Sequence, residues 1–219
     1  MLDKREDSYK TLLRAECEYL GVPYEFFRVG QGLLCPPETY GHINVEPPAR
    51  SGYPAWTNRP NSYNAFLSFR KIIEKAQADQ LPSLLILEDD AYFVESPEER
   101  PRDVFVRAYD DMVKEDPQWE FLYLGANHTF SRTTSISRNL LRLSGSGCWH
   151  AVLLSERAYQ LVLDLPLEGP IDGEVAKKLH PRNHSYACWP SIVWTRAGYS
   201  HCEGREVDYH SFFQNKGCP

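Results

Sequence analysis

The 219-residue chain has no apolar run approaching the roughly 18 residues needed to cross a bilayer. Its first residues, Met1-Leu2-Asp3-Lys4-Arg5-Glu6-Asp7, are charged where a secretory signal requires an apolar core. Both absences predict a soluble, cytoplasmic chain without a transmembrane segment, at most peripheral to a membrane. A basic surplus is also missing: 24 Lys and Arg against 30 Asp and Glu leave a net charge of −6. That balance argues against nucleic acid as a partner. An anionic substrate would then need local basic groups or a metal ion to neutralise it. The six cysteines (Cys17, Cys35, Cys148, Cys188, Cys202 and Cys218) form no C-x-x-C pair, so they read as free, mostly buried thiols in a reducing compartment. No repeat or low-complexity tract interrupts the chain. Hydrophobic residues at 42% and charged residues at 25% exclude a largely disordered or coiled-coil protein. The length suits one large domain, and residues 1–219 are read without an internal boundary.

What is present alternates between helical and extended patterns. Ser8 to Leu20 reads as a helix stopped by Gly21, and Tyr24 to Val29 as a short extended piece. Residues 30–60, rich in Gly and Pro and without period, read as a long loop. A strong helix follows, capped by Asn61 or Ser62, with Phe66, Phe69, Ile73 and Ala76 on one face. Leu84-Leu85-Ile86-Leu87 is apolar on both faces, as in a strand of a parallel or mixed sheet covered by helices. Further helices are expected at Asp103–Glu115 and Asp172–Leu179, and one capped by Ser155 with Ala158, Leu161, Val162 and Leu165 inward. Further strands are expected at Glu120–Leu124, Gly147–Leu154 and Tyr186–Trp194, and residues 196–219 form a C-terminal tail. The alternation predicts an α/β domain.

The apolar run at Leu87 ends abruptly in Glu88-Asp89-Asp90. Three consecutive carboxylates repel one another, a cost that a divalent cation between them would offset. Strand alternation directs Glu88 and Asp90 to one side, where they could share an ion, while Asp89 faces elsewhere. Carboxylate oxygens suit Mg²⁺ or Mn²⁺, ions that commonly also bind substrate phosphates. A solvated acidic turn closing a strand is the plainer alternative. A phosphatase with an aspartyl nucleophile would place Asp, not Glu, first. A phospho-acceptor receiver domain would not have about 87 residues ahead of the motif. It would also need a downstream acceptor Asp, yet no acid occurs from Phe121 to Ser155. That acid-free stretch carries Arg132, Arg138 and Arg142 with His128 and His150, a surface that could bind a diphosphate or an anionic acceptor. Trp149 and Trp189 could stack on a sugar ring or fill the core.

Read in order, several segments resemble glycosyltransferase family 25, which includes lipooligosaccharide and collagen galactosyltransferases. They are Leu2-Asp3-Lys4-Arg5, Gly21-Val22-Pro23-Tyr24-Glu25-Phe26-Phe27, Leu85-Ile86-Leu87-Glu88-Asp89-Asp90-Ala91, Tyr123-Leu124-Gly125, Gly147-Cys148-Trp149-His150-Ala151-Val152-Leu153-Leu154-Ser155 and Pro170-Ile171-Asp172. The resemblance implies a GT-A-like (Rossmann-like) fold, with a mixed, mostly parallel sheet flanked by helices. It also implies an inverting, metal-dependent transfer of a hexose, galactose by expectation, from a UDP-sugar to a glycan or other hydroxyl acceptor. Family members begin with a strand before the Leu-Asp-x-Arg stretch, and that first strand is expected to be missing here. Arg59-Pro60-Asn61-Ser62-Tyr63 stands where the family has Gly-x-x-x-Ser-His, which bears on donor or acceptor preference.

On this resemblance Asp90, Glu88 and the late His201 are the candidate ligands for Mn²⁺ or Mg²⁺, with His128 and His210 as weaker alternatives. Asp3, Arg5, Glu88 and Asp89 are the candidate contacts for the nucleotide-sugar. Asp172 is the candidate base that takes the acceptor hydroxyl proton, or a plain helix N-cap, with Glu174 as the fallback. A degenerate domain of the same fold that binds a glycan or partner is the competing expectation. Nucleotidyl transfer is a third, and it lacks the Gly-rich phosphate loop usually found near the start.

Overall fold

The computed structural model describes residues 11–12, 14–15, 17–18, 60–95, 98–128, 133–200 and 205–213, with side chains described from residue 65 within the helix that begins at Pro60. Positions 11, 12, 14, 15, 17 and 18 are helical, in agreement with the helix expected there. The 24–29 extended piece and residues 30–59 of the loop lie outside the described residues.

Helix α1 runs Pro60–Ala78, beginning slightly ahead of the expected Asn61 or Ser62 cap. Its stripe of Phe66, Phe69, Ile73 and Ala76 is buried along its whole length. The chain turns at Gln80 and enters β1 (Ser83–Leu87), then β2 (Ala91–Phe93), α2 (Pro101–Glu115) and β3 (Phe121–Tyr123). A hairpin of β4 (Thr134–Ser137) and β5 (Leu140–Arg142) leads to β6 (Ala151–Ser155) and α3 (Glu156–Leu163). Helix α4 (Ile171–Lys178) and a 3-10 turn at His180–Arg182 precede β7 (Ser185–Cys188). The described chain ends with β8 (Val193–Thr195), β9 (Gly198–Ser200), β10 (Arg205–Val207) and the short α5 (His210–Phe213).

Six strands form one sheet in the order β1-β6-β3-β7-β5-β4. Side chains leave it on alternate faces. Phe121, Tyr123, Val152, Leu154 and Ile86 pack against α1, α3 and α4 on one side. Leu122, Ala151, Leu153, Leu140 and Tyr186 pack with Val104, Ala108 and Met112 of α2 on the other. The result is a three-layer α/β domain, each fully buried Leu or Phe contributing about 2 kcal/mol of transfer free energy.

The expected parallel character is corrected. Among the described residues only β3 and β7 pair in parallel, while β1 with β6, β6 with β3, β7 with β5 and β5 with β4 are antiparallel. An apolar run reports that helices cover both faces of a sheet. It carries no information about the direction of the neighbouring strand. Two further readings are corrected. Ser155 occupies the N-cap position of α3 but makes no side-chain cap, because its hydroxyl donates to the Trp119 carbonyl at 2.8 Å. The single strand expected at Tyr186–Trp194 is two strands: the chain leaves the main sheet at Trp189-Pro190 and pairs again as β8 against β2.

Strand directions decide where a site can form. β1 and β3 both run antiparallel to β6, and β7 runs parallel to β3. The carboxyl ends of β1, β3 and β7 and the amino end of β6 therefore share one rim. Glu88–Asp90, Gly125–His128, Gly147–His150 and Trp189 are all delivered there.

Candidate functional site

Strand β1 stops at Leu87, and Glu88 to Ala91 form a tight turn in which the Ala91 N–H donates to the Glu88 carbonyl at 3.1 Å. The Glu88 N–H is anchored across the sheet on the His150 carbonyl at 2.8 Å. Glu88 and Asp90 are thus brought together by a turn, not by strand alternation. Beneath them, Gly125 lies so close to Val193 and His150 that a Cβ there would overlap the Val193 carbonyl oxygen.

Asp172 joins this pair from the first turn of α4. It is not the N-cap, which is Pro170. Its Oδ2 accepts the Cys148 N–H at 3.1 Å and its Oδ1 accepts the Gly173 N–H at 2.8 Å. Gly147 leaves the carboxylate room: a Cβ on it would stand 3.5 Å from Asp172 Oδ2. Cys148, at φ 72°, adopts the left-handed backbone that side chains other than glycine rarely accept.

The electrostatics follow from crowding like charges at a poorly solvated rim. Burial pushes the Glu88 carboxyl well above the ordinary carboxylate range, and the neighbouring Asp90, Asp89 and Asp172 push it further. Burial and Asp89 raise Asp90 as well, partly opposed by its backbone hydrogen bond and by the Arg196 guanidinium. The Cys148 thiol is driven far up by burial and then by Asp172, Glu88 and Asp90. Three of the sequence-derived candidates, Glu88, Asp90 and Asp172, are therefore assembled around Cys148, and the fourth acid of the set, Asp89, is exposed beside them. Asp90 Oδ1 is buried with no hydrogen-bond partner among the described residues. A lone pair left in that condition costs roughly 1–3 kcal/mol unless something else satisfies it.

A divalent cation fits this donor set in charge and in ligand chemistry, since hard oxygen ligands suit Mg²⁺ and Mn²⁺. Among the described residues there is no ready-made group of three His, Cys, Asp or Glu side chains arranged to hold an ion. Asp3, Arg5 and His201 lie outside the described residues, as does Arg132.

The remaining candidates are placed elsewhere or already engaged. Glu174 is buried and forms an ion pair with Lys178 at 2.8 Å. Arg138 and Arg142 are met by acids distant in sequence, Glu99 at 3.2 Å and Glu115 at 2.7 Å. The acid-free stretch is thus not an acid-free surface. His128 contacts the Ser146 hydroxyl at 2.8 Å, and burial lowers its pKa to about 4. His210 contacts the Tyr92 hydroxyl at 3.0 Å, over the β2–β8 ribbon. Trp149 is core, packed edge-on against Phe69 and donating to the Tyr123 hydroxyl at 2.9 Å. Trp189 is half-buried near the His128 ring. Cys148 and Cys188 are free thiols.

Sequence reasoning did not single out His180, and it named Tyr123 only within the Tyr123-Leu124-Gly125 segment of the resemblance, without a role. Both lie in the core behind Cys148 and meet at 3.0 Å. A buried His on a short turn carries no sequence signal, and Tyr123, in a strand that also holds Phe121, reads as an ordinary core aromatic. No protein-family model matches this chain, and no curated protein matches its sequence. No helix among the described residues is long and apolar enough to cross a membrane.

Proposed function

We propose that the protein is an inverting glycosyltransferase of GT-A-like fold that moves a hexose from a UDP-sugar, galactose by preference, to a hydroxyl of a glycan or other acceptor in the cytoplasm. The observation that supports this reading best is the meeting of Glu88, Asp90 and Asp172 at one rim, with a buried Asp90 oxygen lacking a partner. Ligands in α/β sheets collect outside the carboxyl ends of the strands, where this cluster lies. The ordered resemblance of the Leu-Glu-Asp-Asp, Gly-Cys-Trp-His-Ala and Pro-Ile-Asp segments to glycosyltransferase family 25 supplies the reaction class.

Glu88 and Asp90 would hold the Mn²⁺ or Mg²⁺, with His201 as a further ligand, and Asp3, Arg5 and Asp89 would contact the donor. When bound, the cation supplies positive charge that offsets the diphosphate of the leaving UDP. Asp172 accepts the proton of the acceptor hydroxyl. The freed oxygen attacks the anomeric carbon from the face opposite the diphosphate. As the new C–O bond forms, the bond to UDP breaks and its electron pair leaves with the β-phosphate oxygen. The Cys148 and Gly173 N–H groups fix the carboxylate plane of Asp172 for that task.

Incubation of the purified chain with UDP-hexoses and Mn²⁺ tests the proposal. Release of UDP that is abolished by EDTA is expected. No release from any UDP-hexose, together with retained binding of a glycan, would favour a non-catalytic binding module, a reading that the lack of a ready-made three-ligand group among the described residues keeps open.

A further inference from the structure

The loop before β6 is held from several sides. Gly147 exchanges backbone hydrogen bonds with Asn127 at 3.0 and 3.1 Å, and the Cys148 N–H reaches Asp172. The Ser146 N–H donates to His180 Nδ1 at 3.2 Å. His180 is fully buried in the 3-10 turn after α4, the same helix that carries Asp172.

That last bond fixes the state of the imidazole. Burial lowers the His180 pKa to about 4, so the ring is neutral at pH 7 and carries one proton. Nδ1 accepts from a backbone N–H, which leaves the proton on Nε2. Nε2–H then donates to the Tyr123 hydroxyl oxygen at 3.0 Å, which also receives the Trp149 indole N–H at 2.9 Å. The chain of bonds therefore has one direction, from Ser146 into His180 and from His180 into Tyr123. It ties the loop to the centre of the sheet at β3.

Cys148 sits at φ 72°. Such a backbone is strained for a residue with a side chain and persists only where its surroundings over-determine it. We propose that His180 is a positioning residue: its Nδ1 holds Ser146 so that the Ser146–Cys148 segment keeps the conformation that presents the Cys148 amide to Asp172. The functional meaning of this device rests on Asp172 being the base, but the device itself does not.

Amide hydrogen exchange on the full chain, read residue by residue by NMR, tests it. In His180→Phe, exchange at Ser146 and Cys148 should accelerate by roughly tenfold or more, while Leu122 and Leu153 in the central strands keep their protection. His180→Asn places Oδ1 where Nδ1 stood, so it should restore protection at both amides, whereas His180→Gln, whose polar atoms lie further out, should not. Unchanged protection at Ser146 and Cys148 in the Phe variant would overturn the proposal. If the Phe variant loses protection throughout the sheet, the Asn variant decides, and failure to restore both amides overturns it. UDP release measured on the same Asn and Gln variants separates the two claims. The Gln variant should lose kcat with KM for donor unchanged. An exchange pattern as expected alongside an active Asp172→Asn enzyme would sink the base assignment and leave the positioning role of His180 intact.

Discussion

The Cys148 amide donates to Asp172 Oδ2 at 3.1 Å, joining the loop that enters β6 to the first turn of α4. Two segments 24 residues apart are thereby registered at the rim where Glu88 and Asp90 emerge. Asp172 is held through both oxygens, Oδ2 by the Cys148 N–H and Oδ1 by the Gly173 N–H, and each oxygen keeps a lone pair for a further proton. Asp172→Asn keeps one acceptor oxygen, for the Cys148 N–H, gives up the exposed Gly173 N–H contact, and removes the basicity of the carboxylate. Its kcat for sugar transfer should fall by roughly 10²–10⁴-fold. The KM for donor and the melting temperature should stay near wild type, measured by steady-state kinetics and calorimetry.

The raised carboxyls of Glu88 and Asp90 carry a stability consequence of definite sign. A carboxyl whose pKa is higher in the folded state holds its proton there over a range in which the unfolded chain has released it. Without a cation, stability is therefore lost as pH rises from the ordinary carboxylate range through the raised folded value. Thermal unfolding in EDTA should show a lower midpoint at pH 8.5 than at pH 6.5. Glu88→Gln should flatten that slope. A slope unchanged by the substitution would show that Glu88 is not its source.

Three histidines, His128, His150 and His180, set the acid limit. Burial holds all three down to about 4, while the unfolded chain takes up a proton near the ordinary 6.5. Between those values only the unfolded state is protonated at these sites, so stability falls as pH drops from about 6.5 to about 4. Each group removes up to roughly 3 kcal/mol by the lower end of that window, at about 1.4 kcal/mol per pH unit. Urea unfolding at pH 6.5 and 4.5 measures the loss, and His150→Phe should reduce it.

Gly125 has no room for a side chain between β3 and the Val193 carbonyl, with His150 Nε2 only 2.9 Å from where a Cβ would sit. Gly125→Ala should cost on the order of 2–4 kcal/mol in urea unfolding. At Cys148, by contrast, glycine suits the φ of 72°. Cys148→Gly should be neutral or stabilising by up to about 1 kcal/mol, and Cys148→Val should be strongly destabilising.

Much of the layer arrangement was legible in the residues. The stripe of Phe66, Phe69, Ile73 and Ala76 named its own buried face, and the run at Leu84–Leu87 announced helices on both sides of the sheet. Strand direction was not legible, because burial depends on layers and pairing direction depends on where each connection returns. The short strands β2, β4, β5, β8, β9 and β10 span three or four residues each, too few for a period to declare itself. At the site, Glu88, Asp90 and Asp172 could be named from acid type and from their neighbours. The engagement of Arg138 by Glu99 and of Arg142 by Glu115 could not, since those acids stand 39 and 27 residues away. Nor could His180, whose role is set by a contact from Ser146, 34 residues earlier.

Titration calorimetry of UDP onto the protein, with Mn²⁺ and then with EDTA, on wild type and Asp90→Asn, bears most directly on the central claim. Wild type should bind UDP in Mn²⁺ at least tenfold more tightly than in EDTA, a difference of about 1.4 kcal/mol. The Asp90→Asn variant should bind equally weakly in both. Equal affinity of the wild type with and without the cation, or an Asn variant that keeps the full Mn²⁺ gain, would contradict the account.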